Sequence, residues 1–85
     1  MPLFYFDVRD GVSLPDDIGT QYSNLLDARL AALRLACDLM HDSPTQFWNR
    51  DDCAIAVRDH EGTLLFSLEI VLKEHPATQV LTRAA

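Results

Sequence analysis

One stretch of the chain, residues 25–42, constrains the fold more than any other because it is long and has helical periodicity. At about 100° per residue its polar side chains form one narrow stripe: Asp27, Arg34, Asp38, His41 and Asp42. The other side is a broad apolar face with shoulders: Leu25, Leu26, Ala32, Leu33, Ala36, Leu39 and Met40, flanked by Leu30, Leu35 and Cys37. This face is wider than packing on one sheet requires, so we expect a second surface to cover a shoulder.

The segments around this helix read as strands and turns. Ser23 and Asn24 are good N-cap residues, and Pro44 predicts the helix end at Asp42 to Pro44. Alternating aromatic and branched residues predict a strand over Leu3–Arg9. Further extended pieces are predicted, the last two joined as a hairpin at residues 59–62: Val12–Leu14, Thr20–Tyr22, Cys53–Asp59 and Thr63–Val71. Residues 46–52 are predicted to be a loop.

These elements predict an α+β fold of the two-layer sandwich type. One main helix packs on a mainly antiparallel sheet of three to four strands, in the order β-(β)-α-β-β. Residues 1–72 form one domain, and residues 73–85 form a C-terminal tail that is flexible or loosely docked through Val80 and Leu81. The sheet face away from the helix then carries a mixed set of side chains: Tyr5, Asp7, Arg9, Ala54, Ala56, Arg58, Thr63, Leu65, Ser67 and Glu69.

Charge and composition exclude several classes of function. Seven basic against thirteen acidic residues give a net charge of −6, which disfavours nucleic-acid binding. No run of apolar residues is long enough to span a membrane, and the N-terminus lacks the pattern of a signal peptide. We therefore expect a cytoplasmic protein with no membrane partner, in which Cys37 and Cys53 are reduced core residues.

Arg29 is the most informative single residue, since it is predicted to lie near the middle of the apolar helix face. A buried guanidinium needs a partner, so the main expectation is an internal salt bridge to an aspartate at a strand end or turn. The candidate partners are Asp7, Asp10, Asp17 and Asp59. Two alternatives stay open: a site for an anion or a partner's carboxylate, and a helix register that leaves Arg29 exposed.

The other polar residues do not form a catalytic or metal-binding pattern. Asp10, Asp16 and Asp17 are close in sequence, but they lie in turns and are expected to be solvated. The histidines, His41, His60 and His75, lack the spacing of zinc ligands. The sequence thus predicts no catalytic residues, no metal site and no cofactor.

Several residues are candidates for an interaction or anion site. Trp48, beside Phe47 in the predicted loop, either plugs one end of the core or presents an aromatic anchor to a partner. Tyr5, Arg58 and Leu65 lie on the uncovered sheet face. Together with Arg29 they make up the predicted site.

Four motifs support a family resemblance: residues 1–11 (MPLFYFDVRDG), residues 16–20 (DDIGT), Asp27-Ala28-Arg29 with Ala32, and Val57-Arg58-Asp59 through Gly62. In these the chain resembles the short, mostly uncharacterised proteins of soil alphaproteobacteria that combine an aromatic N-terminal strand, an Asp-rich turn, an Ala-Arg helix and a C-terminal VRDxxG hairpin. The likeness spans residue 1 to about residue 70. It implies the same fold and compartment, and it contributes no catalytic residues.

Two functional hypotheses follow. The first is a non-enzymatic protein-interaction module that self-associates, as a dimer, or binds another protein through the uncovered sheet face or a helix shoulder. The alternative is a small-ligand or anion-binding protein, or an enzyme, centred on Arg29 and a neighbouring aspartate. A DNA-linked regulator conflicts with the negative charge.

Overall fold

A computed structural model describes residues 2–48 and 53–77 of the chain. The elements are, in order, β1 (Leu3–Asp10), β2 (Ser13–Leu14), β3 (Thr20–Gln21), α1 (Leu25–Asp42), α2 (Pro44–Trp48), β4 (Cys53–Asp59) and β5 (Leu64–Ile70). One main helix and an antiparallel sheet confirm the predicted α+β fold. The short helix α2 occupies part of the segment predicted to be a loop.

The sheet is centred on β1 and β4. Its strand order is β2-β1-β4-β5, and every described pairing is antiparallel. Because β4 pairs with β1 over residues 4–10, the short strands β2 and β3 share the opposite edge of β1. Both predicted extended pieces between β1 and the helix therefore join the sheet, and the loop between them, residues 15–19, runs beside the middle of β1.

Strand pairing fixes which side chains face the helix. Phe6 pairs with Val57, and Val57 pairs in turn with Phe66, so one row crosses three strands. Ile55 and Val57 are fully buried there. A register shift between Val57 and Arg58 breaks the alternation, so Leu64 pairs with Arg58 and is exposed. Strict alternation along β5 would place Leu64 in the row of Phe66, Leu68 and Ile70, and the register shift removes it from that row.

Helix α1 begins where the sequence predicts. The Asn24 side chain caps it by accepting a hydrogen bond from the amide of Asp27, at 2.9 Å. The face that packs on the sheet, however, consists of three small residues, Ala28, Ala32 and Ala36, each at most 1% exposed. Alanines allow the helix axis to lie close to a sheet that already supplies large side chains, namely Phe4, Ile55 and Val57.

The rotation that buries the alanines turns several leucines outward. Leu26 and Leu33, predicted to face the core, are exposed, and so is Leu30. Leu25 lies on the alanine side and is 37% exposed because it is the first residue of the helix. Cys37 is exposed as well, whereas Cys53 is buried, and no disulfide joins the two. The prediction that Cys37 is a core residue is wrong because the helix contacts the sheet through its alanine side.

The segment after α1 closes one end of the core with Phe47, and of the two roles predicted for Trp48 the structure shows the exposed one. Phe47 on α2 is 5% exposed, while Trp48 is 61% exposed. Phe47 therefore plugs the core, and Trp48 points into solvent at the end of α2.

The C-terminal part is described only to residue 77. Residues 71–77 are exposed, and the predicted docking residues Val80 and Leu81 lie outside the described residues. Within the described ranges, none of the helices has the length and apolar character needed to cross a membrane.

We expect the substitution Ala32→Leu to lower the free energy of unfolding by about 1–3 kcal/mol, because the added carbons have no space between α1 and the sheet. Ala31→Leu is the matched control. Ala31 is half-buried beside open space, so we expect a change of less than about 0.5 kcal/mol. Urea unfolding followed by circular dichroism measures both. Equal losses in the two variants would contradict the close approach of the helix.

Candidate functional site

The structure brings together three of the five residues predicted from sequence to form a site. Tyr5 and Arg58 are direct neighbours in the pairing of β1 with β4. Leu65 lies at the register shift near the start of β5, between Leu64, which pairs with Arg58, and Phe66. Arg29 lies on α1 and Trp48 on α2, away from this face of the sheet.

Arg29 does not form the buried salt bridge that was the main expectation. Its side chain is exposed on α1. The reason is the same rotation that buries Ala28 and Ala32, since Arg29 then falls on the rim of the helix instead of at its contact with the sheet. The register alternative, which leaves Arg29 exposed, is the one observed.

An arginine does pair with aspartate on this fold, but it is Arg58 on β4. Its Nε donates to Asp7 Oδ2 at 2.8 Å, and its Nη2 lies 3.4 Å from Asp7 Oδ1. Nη2 also donates to the backbone carbonyl of Asp16 at 2.9 Å. Arg58 therefore ties β4 to β1 and to the loop at residues 15–19.

The carboxylate of Asp16 organises that loop. Its Oδ2 accepts from the amide of Phe6 at 3.1 Å, where β1 has no strand partner on this edge. Its Oδ1 accepts from the amides of Ile18 and Gly19, each at 3.0 Å. Asp16 also donates its own amide to Asp7 Oδ1 at 2.8 Å. We call Asp7, Asp16 and Arg58 the aspartate clamp.

These contacts keep both carboxylates of the clamp ionised. Partial burial by itself raises the pKa of Asp7, but the hydrogen bonds from Arg58 and from the Asp16 amide outweigh it and leave the pKa below its ordinary value. Burial likewise raises the pKa of Asp16, and three backbone amides more than offset it, so that pKa is also lowered. The hydrogen bond to Asp7 raises the pKa of Arg58.

Tyr5 packs between the clamp and the loop. The guanidinium of Arg58 lies 4.7 Å from the centre of the Tyr5 ring, within the range of a cation–π contact. On the loop side, Gly19 has a φ of +78°, and a Cβ built on it would lie 2.9 Å from Tyr5 Cε2. Glycine suits this position because it adopts a positive φ without strain and has no Cβ to contact the Tyr5 ring.

The clamp is suited to holding the fold and poorly suited to catalysis. All four carboxylate oxygens of Asp7 and Asp16 accept a described hydrogen bond, and a lowered pKa makes each a weak base near neutral pH. The Arg58 guanidinium is already paired with Asp7 and with the Asp16 carbonyl through its Nε and Nη2 groups. Among the described residues, no group of three or more His, Cys, Asp or Glu side chains is arranged to hold a metal ion.

Sequence reasoning missed the role of Asp16. It treated Asp16 and Asp17 alike as solvated turn residues, whereas Asp16 is half-buried and only Asp17 is exposed. The signal was present in the motifs that carry the family resemblance, because Asp7, Asp16, Gly19 and Arg58 all belong to them.

A second candidate surface lies on the outer side of α1. Leu26, Leu30 and Leu33 are 59%, 46% and 53% exposed, and Cys37 continues the same line along the helix. We call these four residues the leucine row. A shallow depression of about 370 Å³ runs beside it and is lined in part by Tyr22, Leu30 and Arg34.

Two further depressions lie elsewhere. One of about 320 Å³ lies on the uncovered sheet face, with Asp7, Ala54, Ala56 and Ser67 in its lining. The other, of about 310 Å³, is lined by residues that include Phe6, Asp16 and Tyr22. Arg29 lines none of the three.

Asp16→Asn is expected to lower the free energy of unfolding at pH 7 by about 2 kcal/mol, because the amide group cannot accept hydrogen bonds on both sides. Asp17→Asn, at the exposed neighbour, is the control and is expected to change stability by less than about 0.5 kcal/mol. Urea unfolding at pH 7 and at a series of lower pH values measures both.

The pH dependence has a defined sign. A carboxylate with a lowered pKa in the folded state stabilises the protein above the ordinary Asp pKa of about 3.9, and this stabilisation is lost as the pH falls through the folded-state value. The difference in free energy of unfolding between wild type and Asp16→Asn should therefore become smaller below about pH 4. A gap that stays constant down to pH 2 would contradict the ionised clamp.

Gly19→Ala is expected to destabilise the protein more than Gly62→Ala does. Both glycines have positive φ, +78° and +86°. Backbone strain in alanine is therefore expected to lower the free energy of unfolding by a similar amount, about 1 kcal/mol, at each position. Only at Gly19 does the new Cβ meet the Tyr5 ring; nothing lies within 4 Å at Gly62. Thermal unfolding of the two variants gives the comparison, and equal midpoints would show that Tyr5 moves aside freely.

Comparison with known proteins places the chain in a family of uncharacterised proteins. Residues 3–71 match the model of a family described as Domain of unknown function (DUF6894). A search of curated proteins and a search of solved structures each gave no match. The match covers β1 through the end of β5, which includes the aspartate clamp and the leucine row. This chain therefore belongs to the DUF6894 family of domains of unknown function.

Proposed function

We propose that this domain is a non-enzymatic protein-interaction module of the cytoplasm that self-associates through an apolar surface its own fold leaves uncovered. The observation that carries the proposal is the leucine row. Three leucines on one side of α1 are each about half exposed. Leaving such surface in water costs free energy in proportion to its area, about 25 cal/mol per Å², and contiguous apolar patches mark interaction sites.

The aspartate clamp supports the non-enzymatic part of the proposal. Its polar groups are directed at one another and at backbone amides of residues 6, 18 and 19. A catalytic site needs a group that is free to exchange protons or contact substrate, and these groups are engaged in holding the loop against the sheet.

The uncovered sheet face is a second place for contact between copies. Leu65 is 38% exposed, and Ala56 lies two strand positions away in the same region. This face also carries Arg9 and Glu69, so its apolar area is interrupted by charge. The leucine row is the more continuous of the two apolar surfaces.

The geometry gives less support to the alternative function. That alternative is the binding of a small ligand or anion at Arg29 and a neighbouring aspartate. Arg29 is exposed and borders none of the depressions described above. Of the candidate partner residues, Asp7 is paired with Arg58. We therefore prefer self-association.

Light scattering coupled to size exclusion, over a wide range of protein concentrations, tests the proposal. We expect the mass to rise from the 9.6 kDa of one chain towards twice that value as the concentration increases. Self-association of this kind obeys mass action, so the midpoint gives the dissociation constant. A mass of one chain at every concentration would contradict the proposal.

The variant Leu65→Glu locates the surface. Because Leu65 belongs to the sheet face and not to the leucine row, we expect the dimer to survive this substitution. Loss of the dimer in Leu65→Glu would place the contact on the sheet face instead.

A further inference from the structure

The spacing of the leucine row is that of a helix–helix seam. Its members follow one another at intervals of four, three and four residues, and Met40 follows after three more. Alternating steps of four and three are the a and d positions of a heptad, with Leu30 and Cys37 at a and Leu26 and Leu33 at d. At 100° per residue the row lies about 130° around α1 from the buried alanines, so the sheet does not obstruct it.

The charges beside this seam are distributed unevenly. On one flank, in the e positions, lie Asp27 and Arg34, and on the other flank, in a g position, lies Arg29. Within the described part of the chain, the side chains of Asp27 and Arg34 form no hydrogen bond or ion pair. Both are therefore available to a second molecule.

We infer that α1 pairs with α1 of a second copy of this chain, in antiparallel orientation, along the leucine row. The inference rests on the proposed self-association and specifies its geometry. Leu30 of each copy packs on Leu33 of the other, and Leu26 packs on Cys37. In an antiparallel pair the e flanks face each other, so Asp27 of each copy meets Arg34 of the other, offset by about 3 Å along the axis.

The surface along the leucine row is complementary to itself, and this favours a second copy of the chain as the partner. In a symmetric dimer, if one residue contacts another across the interface, the reciprocal contact also forms. Asp27 and Arg34 lie on one flank of the same helix, so the same surface carries both halves of a complementary pair. Two opposite-charge contacts then close the seam at its ends.

The parallel alternative is disfavoured by the same charges. In a parallel pair each g position faces the following e position of the other helix. Arg29 of each copy would then face Arg34 of the other, which places two pairs of like charges at the seam. In the antiparallel pair Arg29 faces Ala36, where no charge is present.

Disulfide cross-linking tests the orientation directly. In the antiparallel dimer the two Cys37 residues are about 16 Å apart along the axis, too far for a disulfide, while residue 26 faces Cys37. We expect mild oxidation to cross-link the variant Leu26→Cys and to leave the wild type and the double variant Leu26→Cys/Cys37→Ala uncross-linked. Cross-linking of the wild type and of that double variant would show a parallel pair and overturn the inference.

Charge reversal tests the pairing by an independent readout. Arg34→Asp and Arg29→Asp change the net charge equally, but only Arg34 faces a charge in the antiparallel dimer. We expect Arg34→Asp to weaken dimerisation about tenfold and Arg29→Asp to change it less than about threefold. Asp27→Arg/Arg34→Asp, which restores opposite charges, should recover the wild-type dissociation constant to within about threefold.

The outcomes separate this inference from the proposed function. A dimer that responds equally to Arg29→Asp and Arg34→Asp, and that does not cross-link in Leu26→Cys, leaves self-association in place and overturns the helix pairing. A single-chain mass at all concentrations overturns both. Circular dichroism of each variant shows whether α1 remains folded, since Asp27 lies in its first turn.

Discussion

The contact between α1 and the sheet determines most of this structure. Three alanines bring the helix close to strands that carry Phe4, Ile55 and Val57, so the volume of the core comes mainly from the sheet side. A helix with small residues on its packed side must place its large apolar residues elsewhere. The leucine row, the exposed Cys37 and the exposed Arg29 all follow from this one choice of contact face.

The aspartate clamp fixes the irregular part of the chain to the sheet, as the alanine contact fixes α1. The loop at residues 15–19 has little apolar material to bury, and it is held instead by hydrogen bonds to ionised groups, which are stronger than those between neutral groups. Tyr5 and Gly19 fit against each other beside these bonds. The packing of this one loop therefore gives Asp7, Asp16, Gly19 and Arg58 a common structural role.

The elements of the fold were predictable from sequence, while the orientation of the helix was not. Alternation located β1, β4 and β5, and the N-cap at Asn24 together with Pro44 located both ends of α1. Apolar periodicity predicted one broad buried face that held Leu26 and Leu33 together with Ala32 and Ala36, and it could not show which part of that face contacts the sheet. Large side chains of the sheet fill this core, so the helix packs on the sheet through its small residues, the alanines. The pairing of Arg58 with Asp7 and Asp16 escaped prediction because it joins residues far apart in the chain through the strand register.

The position of Asp16 also affects how the sheet can grow. A strand edge with free amide and carbonyl groups is a template for another strand, and repeated addition at two such edges builds fibrils. On the β1 side, β2 and β3 cover the two ends of the strand and the Asp16 carboxylate occupies the Phe6 amide between them. Among the described strands, only β5 presents an unpaired edge longer than two residues. Strand addition on this sheet therefore ends after a single pairing, which protects a small domain with a large apolar content from continuous aggregation.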